Sequence, residues 1–172
     1  TKVSRIKKYK KQKMINFTQK SIKKGHFTQF LGVFIAISAI LTLNACSKSG
    51  ASEQEQMISF AKSNNINYTT DASGILYEII TPGNSTRPTV NSTITVTYVG
   101  TLMNNKQFDA GTITYVLNQL IKGWQIAVPK IGVGGEIKVL IPSSLGYGSA
   151  GAGSSIPGNS PLYFNIKLSA VK

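Results

Sequence analysis

Residues able to carry proton or metal chemistry are scarce in this chain. It holds one histidine, His26, and one cysteine, Cys46, and neither type occurs again in the long stretch that follows. After residue 46, zinc sites built from Cys and His cannot form, nor can Ser-His-Asp or Cys-His nucleophile systems. Acidic residues are few as well. Glu53, Glu55, Asp71, Glu78, Asp109 and Glu136 are the whole set, scattered rather than paired. That spacing offers no support for a glycosidase-style carboxylate pair. No metal ion and no cofactor are expected. A single tryptophan, Trp124, closes the stretch Leu120-Ile121-Lys122-Gly123-Trp124, and a Gly146-Tyr147-Gly148 turn and Ile156-Pro157 follow it. A flat indole, branched aliphatics and a phenol suit the capture of an apolar ring better than the movement of protons.

Charge is unevenly placed. Ten of the 19 Lys and Arg precede residue 46, where no Asp or Glu occurs; the remainder carries nine basic residues against six acidic ones. A nucleic-acid footprint needs its basic patch on the folded domain, so nucleic acid is not expected as a partner. The basic segment leads into Phe30–Leu43, uncharged and largely apolar, which falls short of the roughly 18 or more residues of a spanning helix. A charged region, a short apolar region and small residues at its end describe a secretory signal. Its end, Leu43-Asn44-Ala45-Cys46, resembles the lipobox of bacterial lipoproteins, in which the cysteine takes a lipid and becomes the new N-terminus. Residues 1–45 are therefore expected to be the signal region, with Met14 as the true start, since that gives a signal of ordinary proportions. Cys46 is the expected lipid acceptor. Acyl chains at about 0.8 kcal/mol per buried CH₂ would tie the protein to a membrane of the bacterial cell envelope.

Residues 46–73 read as a lipidated tether and a short helix. Ser52-Glu53-Gln54-Glu55 fits a capping box, Met57, Ile58, Phe60 and Ala61 follow, and Ser63-Asn64-Asn65 ends the run. This helix docks on the domain or spaces it from the membrane, and no chemistry is read in it. From Gly74 the period becomes two. Ile75–Ile80, Thr93–Tyr98, Gly135–Ile141 and Leu162–Leu168 alternate as strands with one buried and one wet face, the last with Tyr163, Asn165 and Lys167 outward. Leu120–Val128 reads as a short helix that Pro129 ends. An α+β domain follows, an antiparallel β-sheet packed around one short α-helix. Gly146–Gly151 matches the G-x-G-x-x-G of dinucleotide folds, but Gly153 and Pro157 oppose a helix there and no acid follows Glu136.

Residues 74–172 resemble the FKBP-type peptidyl-prolyl cis-trans isomerases. The matching stretches are Val96-Thr97-Tyr98-Val99-Gly100, Gln107-Phe108-Asp109, Leu120-Ile121-Lys122-Gly123-Trp124, Val133-Gly134-Gly135-Glu136, Ile141-Pro142, Leu145-Gly146-Tyr147-Gly148, Ile156-Pro157 and Leu162-Tyr163-Phe164. Each alone is weak, but the ordered set is specific. The resemblance implies a pocket floored by Trp124 and walled by Tyr98, Phe108, Leu120, Ile121, Ile156 and Phe164, with Asp109 and Tyr147 as its polar rim. It also implies that Asp109 holds Tyr98, while the Tyr147 hydroxyl and the Ile156 N–H bind substrate carbonyls. Implied partners are Xaa-Pro segments of unfolded or exported proteins, and FK506 or rapamycin.

Three departures from the family pattern stand out. The stretch from Asp109 to Trp124 is several residues short, so the family's bulge and arginine are missing and Ile113 or Tyr115 stands near the place of an aromatic. Ala152 replaces a histidine found in better-known members. Ser155 precedes Ile156 where many have a second aliphatic. A non-catalytic lipoprotein that grips proline-containing segments is the alternative reading.

Overall fold

The computed structural model describes residues 50–172; the expected signal region, Met14 and Cys46 lie outside the described residues. The first element, α1 (Glu53–Ser63), begins at its capping box. The Glu55 N–H donates to the Ser52 hydroxyl, and the Ser52 N–H donates to the Glu55 carboxylate at 2.8 Å. Its buried side chains are Met57, Phe60 and Ala61, the one-sided spacing of a docked helix. Among the described residues no helix is long and apolar enough to cross a membrane.

The strands are β1 (Thr69–Thr70), β2 (Leu76–Thr81), β3 (Thr93–Leu102), β4 (Gln107–Val116), β5 (Glu136–Ile141) and β6 (Leu162–Val171). They form one antiparallel sheet in the order β1-β2-β5-β6-β3-β4. Its second helix, α2 (Lys122–Ala127), is shorter than Leu120–Val128, because Leu120 and Ile121 stay extended and Pro129 lies within a 3₁₀ turn over Val128–Lys130.

Strand pleating divides the apolar residues between two faces. On one, Ile94, Val96, Val139, Phe164, Ile166 and Leu168 meet Trp124 and Ala127 of α2 in the main core. On the other, Leu76 and Leu140 pack under Met57, Phe60 and Ala61 of α1. The sheet thus lies between two helices. Tyr163 points to the second face, as alternation requires, yet it is not wet: α1 covers it, with the Phe60 ring centroid 5.1 Å away. Asn165 on the same face is also only half exposed and donates to Glu136 at 3.0 Å.

β4 has no counterpart in the strands read from sequence. It pairs with β3 without interruption from Thr93↔Val116 to Gly100↔Asp109. The shortened stretch after Asp109 is therefore a straight edge strand. Thr95 and Thr97 bond through their hydroxyls to Thr114 and Thr112, at 2.9 and 2.8 Å, as cross-strand pairs.

Candidate active site

The site begins at a break in register. Gly100 pairs with Asp109, but Thr101 pairs with Gln107, so Phe108 is an extra residue on β4. In a regular strand Phe108 and Asp109 would face opposite sides of the sheet. The bulge turns both toward one cleft. Gly100 makes room for this: a Cβ there would stand 2.7 Å from the Phe108 ring and 2.8 Å from that of Phe164.

The floor is set by α2. Its Gly123 lies so close to β5 that a Cβ would be 2.4 Å from Ile141. The helix therefore sits directly on the sheet and buries Trp124 to 4% exposure. Ile121 offers no side-chain cap, but the Gln125 side chain donates to the Leu120 carbonyl at 2.7 Å and to that of Asn118 at 3.1 Å. That ties the incoming segment, with Leu120 and Ile121, against the helix.

Tyr98, Phe108, Asp109, Ile113, Leu120, Ile121, Trp124, Tyr147 and Phe164 line a cleft of about 80 Å³. The rings meet edge to face: Trp124 on Phe164 at 5.2 Å and 89°, Tyr98 on Trp124 at 5.1 Å and 81°, Phe108 on Phe164 at 5.5 Å and 86°. This geometry suits aromatic quadrupoles and makes a stiff box. The indole Nε1 of Trp124 is buried with no hydrogen-bond partner. Wider hollows lie beside Ala61–Tyr68 and between α1 and the β3–β4 turn, but they gather no such set of rings.

Polar chemistry is confined to one rim. The Tyr98 hydroxyl donates to Asp109 Oδ2 at 2.5 Å, and Asp109 Oδ1 accepts from the Ala110 N–H at 2.9 Å. Burial, then the hydrogen bond and charge of Asp109, push the Tyr98 phenol up to about 12. Burial and the Asp109 charge also raise Tyr147, which is 40% exposed. Both phenols are therefore neutral donors at ordinary pH. The arrangement can hold an apolar ring and offer hydrogen bonds at its edge.

Of the residues expected to form the pocket, Ile156 alone stands apart. It is buried in the core and does not line the cleft, and its N–H donates to the Ala152 carbonyl at 3.1 Å. That bridge, closed by the Ala152 N–H to the Ile156 carbonyl at 2.9 Å, occupies the amide meant for a substrate carbonyl. Ile113 lines the cleft, while Tyr115 is 51% exposed opposite Ile94. The bulge at Phe108 and the spacing role of Gly100 were not read from sequence. A Phe-Asp pair with both members at one pocket was their only signal.

A model of the FKBP-type peptidyl-prolyl cis-trans isomerase family matches residues 84–169. The FKBP-type peptidyl-prolyl cis-trans isomerase FkpA of Escherichia coli K12 is 35% identical over 127 residues, covering 71% of this chain and 46% of that protein. The chain thus spans about half the length of that relative. The crystal structure of FkpA from Escherichia coli superposes with a TM-score of 0.64 at 32% identity, over 70% of this chain and 59% of that one. A peptidyl-prolyl cis-trans isomerase from Pseudomonas syringae gives 0.61 at 32% identity, over 70% of this chain and 93% of that structure.

Proposed function

The chain belongs to the FKBP-type peptidyl-prolyl cis-trans isomerases, and from that premise we propose that it turns Xaa-Pro bonds in exported or envelope proteins. The observation that carries this reading is the aromatic cleft beside the Tyr98–Asp109 pair. The cleft is small, about 80 Å³, and ringed by Tyr98, Phe108, Trp124 and Phe164, which suits one small apolar ring.

An Xaa-Pro bond prefers trans by only about 0.5–1 kcal/mol but crosses a barrier of roughly 18–20 kcal/mol, the loss of amide resonance. No covalent bond breaks, so a site without histidine or thiol suffices. Burying the ring methylenes of proline contributes on the order of 2–3 kcal/mol, common to ground and transition states. Acceleration comes from contacts that favour the twisted amide, whose dipole is smaller. The apolar box disfavours the planar, more polar amide. Tyr147 donates to a substrate carbonyl, and Asp109 fixes Tyr98 against Trp124. FK506 or rapamycin would occupy the same cleft.

Export and anchoring rest on the leader alone: a basic region, an apolar region and Cys46 as lipid acceptor. In this reading residues 46–73 bring the tether and α1, and residues 74–172 the isomerase domain.

In a protease-coupled assay on an Xaa-Pro peptide, Asp109→Val and Tyr147→Phe should lower kcat more than they raise KM. Undiminished turnover in both variants would sink these assignments. A second reading, a binder that does not speed isomerisation, draws on the straight β4 that replaces the family's longer stretch. Binding of the peptide without turnover on a tetrapeptide or on a proline-limited refolding protein would favour it.

A further inference from the structure

Ser143 is the only buried polar or charged residue among the described residues, and each of its polar groups is engaged. Its N–H and its hydroxyl donate to the two oxygens of the Glu53 carboxylate, both at 2.6 Å. Its carbonyl accepts from the Gly146 N–H at 2.9 Å and from the Gly148 N–H at 2.8 Å. Those glycines flank Tyr147, whose side chain lines the cleft. From the first turn of α1, Glu53 thus grips a turn 90 positions away in sequence.

This contact is not the only one that docks α1. Met57, Phe60 and Ala61 bury against Leu76, Leu140 and Tyr163, and the helix carries its own capping box through Glu55. A half-buried carboxylate gives up hydration and is retained where short, charge-assisted hydrogen bonds replace it. Here both replacements go to the one residue that organises the turn under Tyr147.

We propose that Glu53 is a positioning residue for the isomerase reaction. Acting through Ser143, it fixes the Pro142–Gly148 turn so that the Tyr147 hydroxyl stands at the mouth of the cleft. The helix read as a docking or spacing element then supports the site. This inference rests on the isomerase reading for its effect on turnover, but not for its effect on the turn.

The test compares Glu53→Ala, Glu53→Gln and Glu55→Ala in the full chain; Glu55→Ala removes the carboxylate half of the capping box of the same helix and leaves the turn untouched. Peptide kcat and KM are measured beside hydrogen exchange of the Gly146 and Gly148 amides. Glu53→Ala should lower kcat about tenfold with KM within about twofold, and speed exchange at both glycines. Glu53→Gln, which keeps an acceptor oxygen, should fall between, and Glu55→Ala should resemble the wild type. In a Tyr147→Phe background Glu53→Ala should cost little more, because it acts through that hydroxyl. Fully additive losses, or equal losses in Glu55→Ala, overturn the proposal. If Glu53→Ala fails to fold, Glu53→Gln and Ser143→Ala carry the same comparison. If the wild type proves inactive, the isomerase reading fails alone, and unchanged glycine exchange in the Glu53 variants would overturn the clamp separately.

Discussion

Gly100→Ala places a methyl group where two rings of the cleft already stand. Its Cβ would lie 2.7 Å from the Phe108 ring and 2.8 Å from the Phe164 ring. Carbon atoms rest at about 3.5–4.0 Å, so an overlap near 1 Å must be relieved. Phe164 cannot yield easily, since it is 3% exposed on an interior strand and wedged against Trp124. Phe108 sits in the bulge of an edge strand and is only partly buried, so it should swing outward. Overpacking of this kind costs about 1–3 kcal/mol, and an edge that can move places the loss near the lower end. The larger effect falls on the cleft, which loses one wall. Losing contact with one ring, about 1–1.5 kcal/mol, corresponds to roughly tenfold weaker peptide binding. Titration of an Xaa-Pro peptide followed by Trp124 fluorescence, beside a urea melt, reads both quantities. An unchanged Kd would show that Phe108 does not wall the occupied cleft. A destabilisation above about 4 kcal/mol would show that the buried Phe164 gave way instead.

Trp124→Ala should chiefly weaken binding, raising the peptide KM at least about tenfold, and loss of the buried ring should lower stability by about 3–5 kcal/mol in a denaturant melt. Asp71 pairs with Lys130 at 2.7 Å, and that hydrogen bond, then those from Ser73, hold its carboxyl well below the ordinary range. Its folded pKa lies below its unfolded one, so its contribution is present above about pH 4 and fades as the pH falls through the folded value. Asp71→Asn should cost at most about 1 kcal/mol at neutral pH, because the pair is partly exposed, and should flatten the acid limb of a stability–pH curve. Tyr98 has the opposite sign. Its folded pKa near 12 exceeds an ordinary 10, so its contribution holds below pH 10 and is lost as pH rises through 12. Tyrosinate absorbance should show this late phenol in the wild type and lose it in Tyr98→Phe.

Elements whose neighbouring residues contrast in polarity were legible in the sequence, even where α1 covers the second face of β5 and β6. The alternation in β3, β5 and β6 and the capping box of α1 follow from contrast between neighbouring residues. β4 lacked that contrast: beyond its bulge, on the face it turns to the cleft, only Ile113 is partly buried while Gly111 and Tyr115 stay exposed, and Thr112 and Thr114 opposite are exposed too. Trp124, Phe164 and Tyr98 came together because an ordered family pattern spans distant elements. Ile156 shows the limit of such a pattern, since a local bridge to Ala152 takes up its amide. The coverage of Tyr163 by α1 and the bonds from Glu53 to Ser143 join residues about a hundred positions apart. No local spacing encodes either contact.

The most direct measurement follows cis–trans exchange of an Xaa-Pro peptide by NMR at equilibrium, with the full chain present in substoichiometric amount. Exchange between the two proline isomers should accelerate in proportion to the chain added. FK506 and the Tyr147→Phe substitution should each suppress that acceleration. Peptide binding in the Trp124 cleft with exchange no faster than in buffer would contradict the isomerase reading.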